Sequence, residues 1–192
     1  MMNKKVLWIV VPIAIIVIIV WSLFSWYINT RNQLIHLEEN TNAGWAEIDN
    51  QLQRRNDLIP NLVATVRGYA AHEHDIFTSI ADARSRLMGA GGVAETAAAS
   101  GQLEGALSRL LMIVENYPQL KADQNFIRLQ DELAGTENRL AVARRRYNEG
   151  VREFNARIRF FPANIIAGHL GLERKPYFEI PEAAREAPVV SF

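Results

Sequence analysis

Two patterns of apolar residues divide this chain. From Val6 to Tyr27 every position is uncharged and most are aliphatic, with no polar face at any helical or strand period. That run of 22 residues is long enough to cross a bilayer core as a helix. Trp8 lies near one edge, and Trp21, Trp26 and Tyr27 lie near the other, where amphipathic rings favour the membrane interface. After it, apolar residues fall into a helical beat. Trp45, Ile48, Leu52, Ile59, Leu62, Val66, Tyr69, Ile76, Ile80, Ala83 and Leu87 recur at intervals that fit a single helical stripe. Gly89-Ala90-Gly91-Gly92 stops the beat as a turn. A second stripe runs through Ala97, Ser100, Leu103, Leu107, Leu110, Val114 and Tyr117, and Asn116-Tyr117-Pro118 closes it. A third uses Leu120, Ile127, Leu133, Leu140, Tyr147, Val151, Phe154, Ile158 and Phe161, up to Pro162. No strand alternation competes with these patterns, so the expected class is all-α.

The unsettled point is Pro60, inside QLQRRNDLIPNLV (residues 51–63). Phase continuity favours a kink in one long helix. Length favours a break, because an unbroken helix from Ile28 to Met88 would extend roughly 90 Å and leave much of its stripe without a partner. The break is the expectation. It gives a transmembrane anchor with a short N-terminus (1–27), an up-and-down antiparallel four-helix bundle over 28–161 with segments 28–58, 60–88, 93–116 and 119–161, and a short helix with an extended docking tail over 162–192. The last bundle segment is long and is expected to overhang or bend near Gly135 or Gly150. The tail is punctuated by Pro176, Pro181 and Pro188 and carries Tyr177, Phe178, Val189, Val190 and Phe192.

Charge adds direction. The chain is balanced, with 21 basic and 21 acidic side chains, so no polyelectrolyte partner is implied and no nucleic acid is expected. Lys4 and Lys5 precede the apolar run, whereas Glu38 and Glu39 follow it. The positive-inside bias then leaves the N-terminus in the cytoplasm and the bundle outside. Arginine crowds residues 139–159, and acids outnumber bases in 28–57, which suits the last segment lying beside the first. The chain has no cysteine, which excludes disulfides, thiolate metal sites and a lipid-modified cysteine.

Candidate chemistry is sparse. His72 and His74 stand two apart, about 200° around a helix, instead of the four-residue spacing of a zinc helix. No catalytic residue, cofactor or metal is expected. Two polar stretches stand out. Arg54, Arg55, Asn56, Asp57, Pro60 and Asn61, with Asn116, Tyr117, Pro118 and Lys121, are expected to meet at the membrane-distal tip, as helix caps or as a surface that docks a partner. Arg144, Arg145, Arg146, Arg152, Arg157 and Arg159 are candidates for contact with acidic helices or lipid head groups.

Together these residues resemble the LemA family. The resemblance rests on Trp45-Ala46-Glu47-Ile48-Asp49, residues 51–63, Gly68-Tyr69-Ala70 with His72-Glu73, Ala83-Arg84 and Glu115-Asn116-Tyr117-Pro118 with Leu120-Lys121-Ala122. It continues through Asn125-Phe126, Leu129-Gln130, Glu132-Leu133, Thr136-Glu137-Asn138-Arg139, Ala143-Arg144, Tyr147-Asn148, Tyr177-Phe178 and Val190-Ser191-Phe192. It implies a bacterial membrane protein with a four-helix bundle and no established enzymatic activity. Some members carry a lipoprotein-type cysteine instead of an anchor helix, and a related domain occurs in proteins of magnetosome membranes. The expected function is a non-enzymatic, membrane-anchored scaffold or adaptor of the cell envelope, self-associating into a homo-oligomer. A regulator of a membrane protease or envelope-stress system, or an enzyme with an unrecognised site, are the alternatives.

Overall fold

The computed structural model describes residues 4–179, and among them there is no strand. Six helices follow one another: α1 (Lys4–Arg67), α2 (His74–Gly89), α3 (Val93–Val114), α4 (Pro118–Lys121), α5 (Gln124–Arg157) and α6 (Ala163–His169). The chain divides into two compact units. One holds the residues up to Thr41 together with Arg152–Lys175; the other holds Asn42–Val151 together with the residues from Pro176.

The expected break at Pro60 is corrected. α1 runs through Pro60 without interruption to Arg67. A proline inside a helix costs about 3 kcal/mol through a lost hydrogen bond and a clash with the carbonyl four residues back. Here the proline ring lies on the exposed face. Ile59, Leu62 and Val66 beside it are all buried. At roughly 2 kcal/mol for each buried aliphatic side chain, their packing outweighs the proline. The chain turns instead at residues 68–73, where the Tyr69 and Ala70 amides both donate to the Val66 carbonyl (3.0 and 2.9 Å). Segments 28–58 and 60–88 are thus replaced by one helix ending at Arg67 and a second beginning at His74. The turn was hidden by arithmetic: Tyr69 and Ile76 are seven residues apart, so the stripe keeps its phase across it.

In the unit from Asn42, the four longer helices feed one core, to which α4 adds Leu120. α1 supplies Ile48, Leu52, Ile59, Leu62 and Val66; α2 supplies Ile76, Phe77, Ile80, Ala83 and Leu87. α3 supplies Leu103, Leu107 and Leu110, and α5 supplies Phe126, Leu140, Ala143, Tyr147 and Val151. Within this unit α1 and α5 run antiparallel in constant register. Trp45 meets Tyr147 and Arg55 meets Glu137, and just past the helix ends Tyr69 meets Asp123, each step up one chain segment matched by an equal step down the other. The two helices come close at Gly44, where an added Cβ would lie 3.4 Å from the Tyr147 Cα. α5 remains helical through both Gly135 and Gly150.

In the other unit the core is small: Leu34, Phe154, Ile158, Ile166 and Ala167, flanked by Tyr27, Leu37, Leu170 and Leu172. α1 here carries the one segment among the described residues that is long and apolar enough to cross a membrane. From Val10 to Phe24 its large side chains are all exposed.

Candidate functional site

The stretch that was expected at the tip, residues 54–61, lies within α1 and points in several directions. Arg54, Asp57, Pro60 and Asn61 are exposed. Arg55 and Asn56 are buried. Arg55 donates a short, charge-assisted hydrogen bond to Glu137 on α5. Arg144, 3.5 Å from the other oxygen of the same carboxylate, also donates to the Ser100 hydroxyl on α3 at 2.9 Å. One carboxylate therefore holds two guanidiniums apart inside the bundle. Burial pulls the Arg144 pKa below its ordinary value, Glu137 and then Glu104 pull it back up, and Arg55 pushes it down again. Beside this cluster Asn56 accepts from Arg84 of α2 at 2.8 Å and donates toward the Met88 sulfur at 3.0 Å. These contacts tie α1, α2, α3 and α5 by their polar groups where plain packing would tolerate a slipped register.

The tip itself is made by the turn at 68–73 and the connection 115–123. Tyr69 donates its hydroxyl proton to Asp123 at 3.1 Å, and Tyr117 reaches Glu73 at 3.5 Å, the outer limit of a hydrogen bond. Asp123 also accepts from the Asn125 and Phe126 amides, both at 2.9 Å, and so caps the start of α5. Those backbone donors, the Phe126 amide first, hold its carboxyl below the usual range, and the same carboxylate raises the Tyr69 phenol. Pro118 opens α4, its missing amide costing nothing at a first turn. Lys121 pairs with Glu115 in solvent. A cleft of about 450 Å³ opens beside the tip between α2 and α3, lined by Glu73, Asp75, Ile76, Arg109, Met112 and Asn116 among others.

The expected ten-residue cluster is thereby split. Asn116, Tyr117, Pro118 and Lys121 do lie at the tip, but their companions there are Tyr69, Glu73 and Asp123. Arg54 and Arg55 are more than three helical turns short of the end of α1, about 20 Å away. The missed residues did carry a signal: Gly68 is a weak helix former, and it lies with Tyr69 and His72, both middling ones, between two strong stripes.

The arginine group is split as well. Arg144 turns inward, with its guanidinium 5.1 Å from the centre of the Phe178 ring. Arg157 donates to Gln33 at 2.8 Å. Arg145, Arg146, Arg152 and Arg159 are exposed.

The tail docks on its own chain as far as it is described. Phe178 is buried against Trp45, with ring centres 6.2 Å apart. Asn148 grips the Phe178 backbone at both ends, accepting from its amide at 2.8 Å and donating to its carbonyl at 3.0 Å. The Tyr147 hydroxyl donates to the Pro176 carbonyl at 2.9 Å, and burial pushes that phenol up. In the other unit Asn155 holds the Lys175 backbone in the same two-sided way. Two asparagines seven residues apart on one face of α5 thus replace strand neighbours for an extended segment. Pro181, Pro188 and the final Val189, Val190 and Phe192 lie outside the described residues.

The Ser79 hydroxyl accepts from Arg109 at 3.3 Å and the Ser100 hydroxyl from Arg144 at 2.9 Å. The family model described as the LemA family matches residues 44–192. The chain is 27% identical over 186 residues to "Magnetosome protein MamQ 2" of Paramagnetospirillum magneticum, covering 83% of this chain and 68% of that protein. It is 26% identical to "Magnetosome protein MamQ" of Magnetospirillum gryphiswaldense with the same coverage. To "Protein LemA" of Metamycoplasma hominis it is 24% identical over 161 residues, covering 83% of this chain and 73% of that protein. Neither the family description nor these names carries an enzymatic activity.

Proposed function

The chain belongs to the LemA family, and from that premise we propose that it is a non-enzymatic, membrane-anchored scaffold or adaptor of the bacterial cell envelope, built as an up-and-down four-helix bundle and assembling with copies of itself. The observation that carries the reading is α1. One helix bears an apolar segment exposed on every side and, further along, the stripe that enters a four-helix core. An apolar cylinder with nothing packed on it is stable in lipid and not in water. The polar groups of the core and tip are engaged as caps, ties and clamps, which suits a presenting surface better than a reaction centre. The surface best placed to receive a partner is the tip, around Tyr69, Glu73, Asn116 and Tyr117. Since Pro176–Phe178 is seated on its own core, self-assembly falls to the anchor and to the juxtamembrane part of α1.

Lys4 and Lys5 before the span favour an N-terminus in the cytoplasm and a bundle outside it. Protease added to intact spheroplasts is expected to digest the bundle and leave a short membrane fragment. Digestion only after lysis would reverse the orientation. The mass of the particle in a gentle detergent tests the assembly, and a monomer at every concentration would remove that part of the reading.

A further inference from the structure

The turn that joins α5 to α6 and the first turn of α6 expose three large apolar side chains: Phe160 at 60%, Phe161 at 80% and Ile165 at 64%. Scattered exposed hydrophobics are ordinary on soluble proteins, but a cluster of this kind marks a contact surface. Its place within its own unit says which one. Ile158 packs with Leu34, and Arg157 donates to Gln33 at 2.8 Å, which fixes the level of the end of α5 along α1. Ile158 and Phe160 still donate to the carbonyls four residues back, so the chain keeps helical geometry past Arg157. At a rise of 1.5 Å per residue, Phe160 and Phe161 lie about 5 Å further toward the apolar segment, within the level spanned by Asn29 to Arg31 and Asn32. Thr30 is buried in this unit, whereas Trp26 and everything before it on the described face of α1 is exposed. The distance left from Thr30 to Trp26 is about 6 Å, close to the thickness of the interfacial layer on one side of a bilayer and to the reach of a phenylalanine side chain.

We propose that the Phe160-Phe161 turn, with Ile165, is a second membrane contact: it seats in the interfacial layer of the bilayer that α1 crosses, with the exposed Arg159 at the level of the lipid phosphates. The proposal rests on the reading of α1 as a membrane span. The occupant is a bilayer and not another protein because the patch sits within about two helical turns of the span in the same unit, and because its chemistry matches an interface. Aromatic rings occupy the apolar side, and the arginines of the same level, Arg159 and Arg31, reach toward phosphate. Glu153 and Glu173 are also exposed in this unit, so the contact is carried by the apolar groups and the charge only orients it. Its consequence is a limit on tilt. A single span lets what it carries swing over the membrane, and a second contact holds this unit to the surface.

The cysteine-free chain makes the test direct. Full-length protein with one cysteine at Leu23, Phe161 or Met88 is labelled with a fluorophore and reconstituted into vesicles of phosphatidylethanolamine and phosphatidylglycerol. Quenching by spin-labelled lipid and by aqueous iodide is then compared. The Leu23 label reports the span. The Phe161 label is expected to be quenched by shallow spin-labelled lipid and to resist iodide at least fivefold better than the Met88 label, which marks an exposed site in the other unit. Phe160→Ser with Ile165→Ser is expected to restore iodide access at position 161 without altering helix content, since both side chains are exposed. A Leu23 label quenched by lipid beside a Phe161 label open to iodide would overturn the proposal and leave the anchor standing. A Phe161 label shielded from both quenchers would assign the patch to a protein contact and also overturn it. If the Leu23 label were not quenched by lipid, the span itself would fail, and the proposal with it.

Discussion

The two ends of α1 share a set of large aliphatic residues and live in opposite surroundings. Val10–Phe24 and Ile48–Val66 are both rich in isoleucine, valine and leucine, yet the large side chains of the first stretch are all exposed, while Ile48, Leu52, Ile59, Leu62 and Val66 are almost fully buried. The aliphatic residues do not separate them; the polar residues interleaved in the second stretch do. The first is apolar on every face and has no direction in which a protein core would bury it. The second alternates with Asp49, Arg54, Asp57 and Asn61, so one face can enter a core while the other stays in water. A uniform cylinder selects lipid, and a stripe selects partner helices.

That contrast can be broken most sharply at the uniform end. Ile16→Lys with Ile19→Lys puts two charges near the middle of the span, at about 3 kcal/mol each on insertion scales. The protein is expected to leave the membrane pellet after a carbonate wash, while the thermal unfolding of the four-helix core is unchanged. Retention in the pellet would remove the lipid reading of Val10–Phe24. At the striped end, Leu62→Ala should do the reverse, costing about 3 kcal/mol of core stability in urea unfolding without loss from the membrane. Ile16→Ala, at a position packed on nothing in the chain, should change unfolding by less than about 0.5 kcal/mol.

A smaller effect tests what sets the register of the stripe. Glu137→Gln removes the carboxylate that Arg55 and Arg144 share and leaves Arg144 only the weaker pull of Glu104. Loss of one partner from a fully buried pair costs about 3–5 kcal/mol, and about 2 is expected here because the Glu137 side chain is 31% exposed. Arg144→Met in the same background should recover part of the loss by removing one of the two like charges. Absence of recovery would mean that the cluster is not an electrostatic unit.

The same contrast explains what could be read from residue order alone. The long apolar segment, the all-helical class and the turn at Gly89–Gly92 each rest on a local signal, uniform hydrophobicity or paired glycines, that no distant residue overrides. Pro60 failed because its local signal was real but weaker than three buried neighbours that only the tertiary structure supplies. Gly68–Glu73 failed for the opposite reason: a six-residue turn left the stripe in phase, so periodicity had nothing to report. The docking ends of the tail were legible as Tyr177 and Phe178, but Asn148 and Asn155, which hold the tail, look like ordinary polar helix positions. Polar side chains reveal their partner only in three dimensions, and the split of the expected tip cluster follows from that.

The smallest effect lies where the striped end of α1 finishes. Asp123 accepts from the Asn125 and Phe126 amides and from the Tyr69 hydroxyl, and its folded pKa is lowered accordingly. A carboxyl with a lowered folded pKa adds stability that is complete above its unfolded value, about 3.9, and is lost as pH falls through the folded value. Tyr69 is raised chiefly by the same hydrogen bond, so its contribution is complete below the ordinary phenol range near 10 and is lost as pH rises through the folded value. The tip should therefore be tightest on the plateau between those limits and loosen at both ends of the pH scale. Asp123→Asn keeps a side-chain oxygen for the cap but removes the titration. Hydrogen exchange at the Asn125 and Phe126 amides should then lose its acceleration below about pH 4, relative to the wild-type protein after correction for intrinsic exchange. Tyr69→Phe should abolish the alkaline limb and leave the acid limb reduced but present, because the backbone donors to Asp123 remain. If both variants kept the wild-type profile at these amides, the tyrosine–aspartate pair would have no part in closing the tip, and the end of α1 would be held by the buried stripe alone.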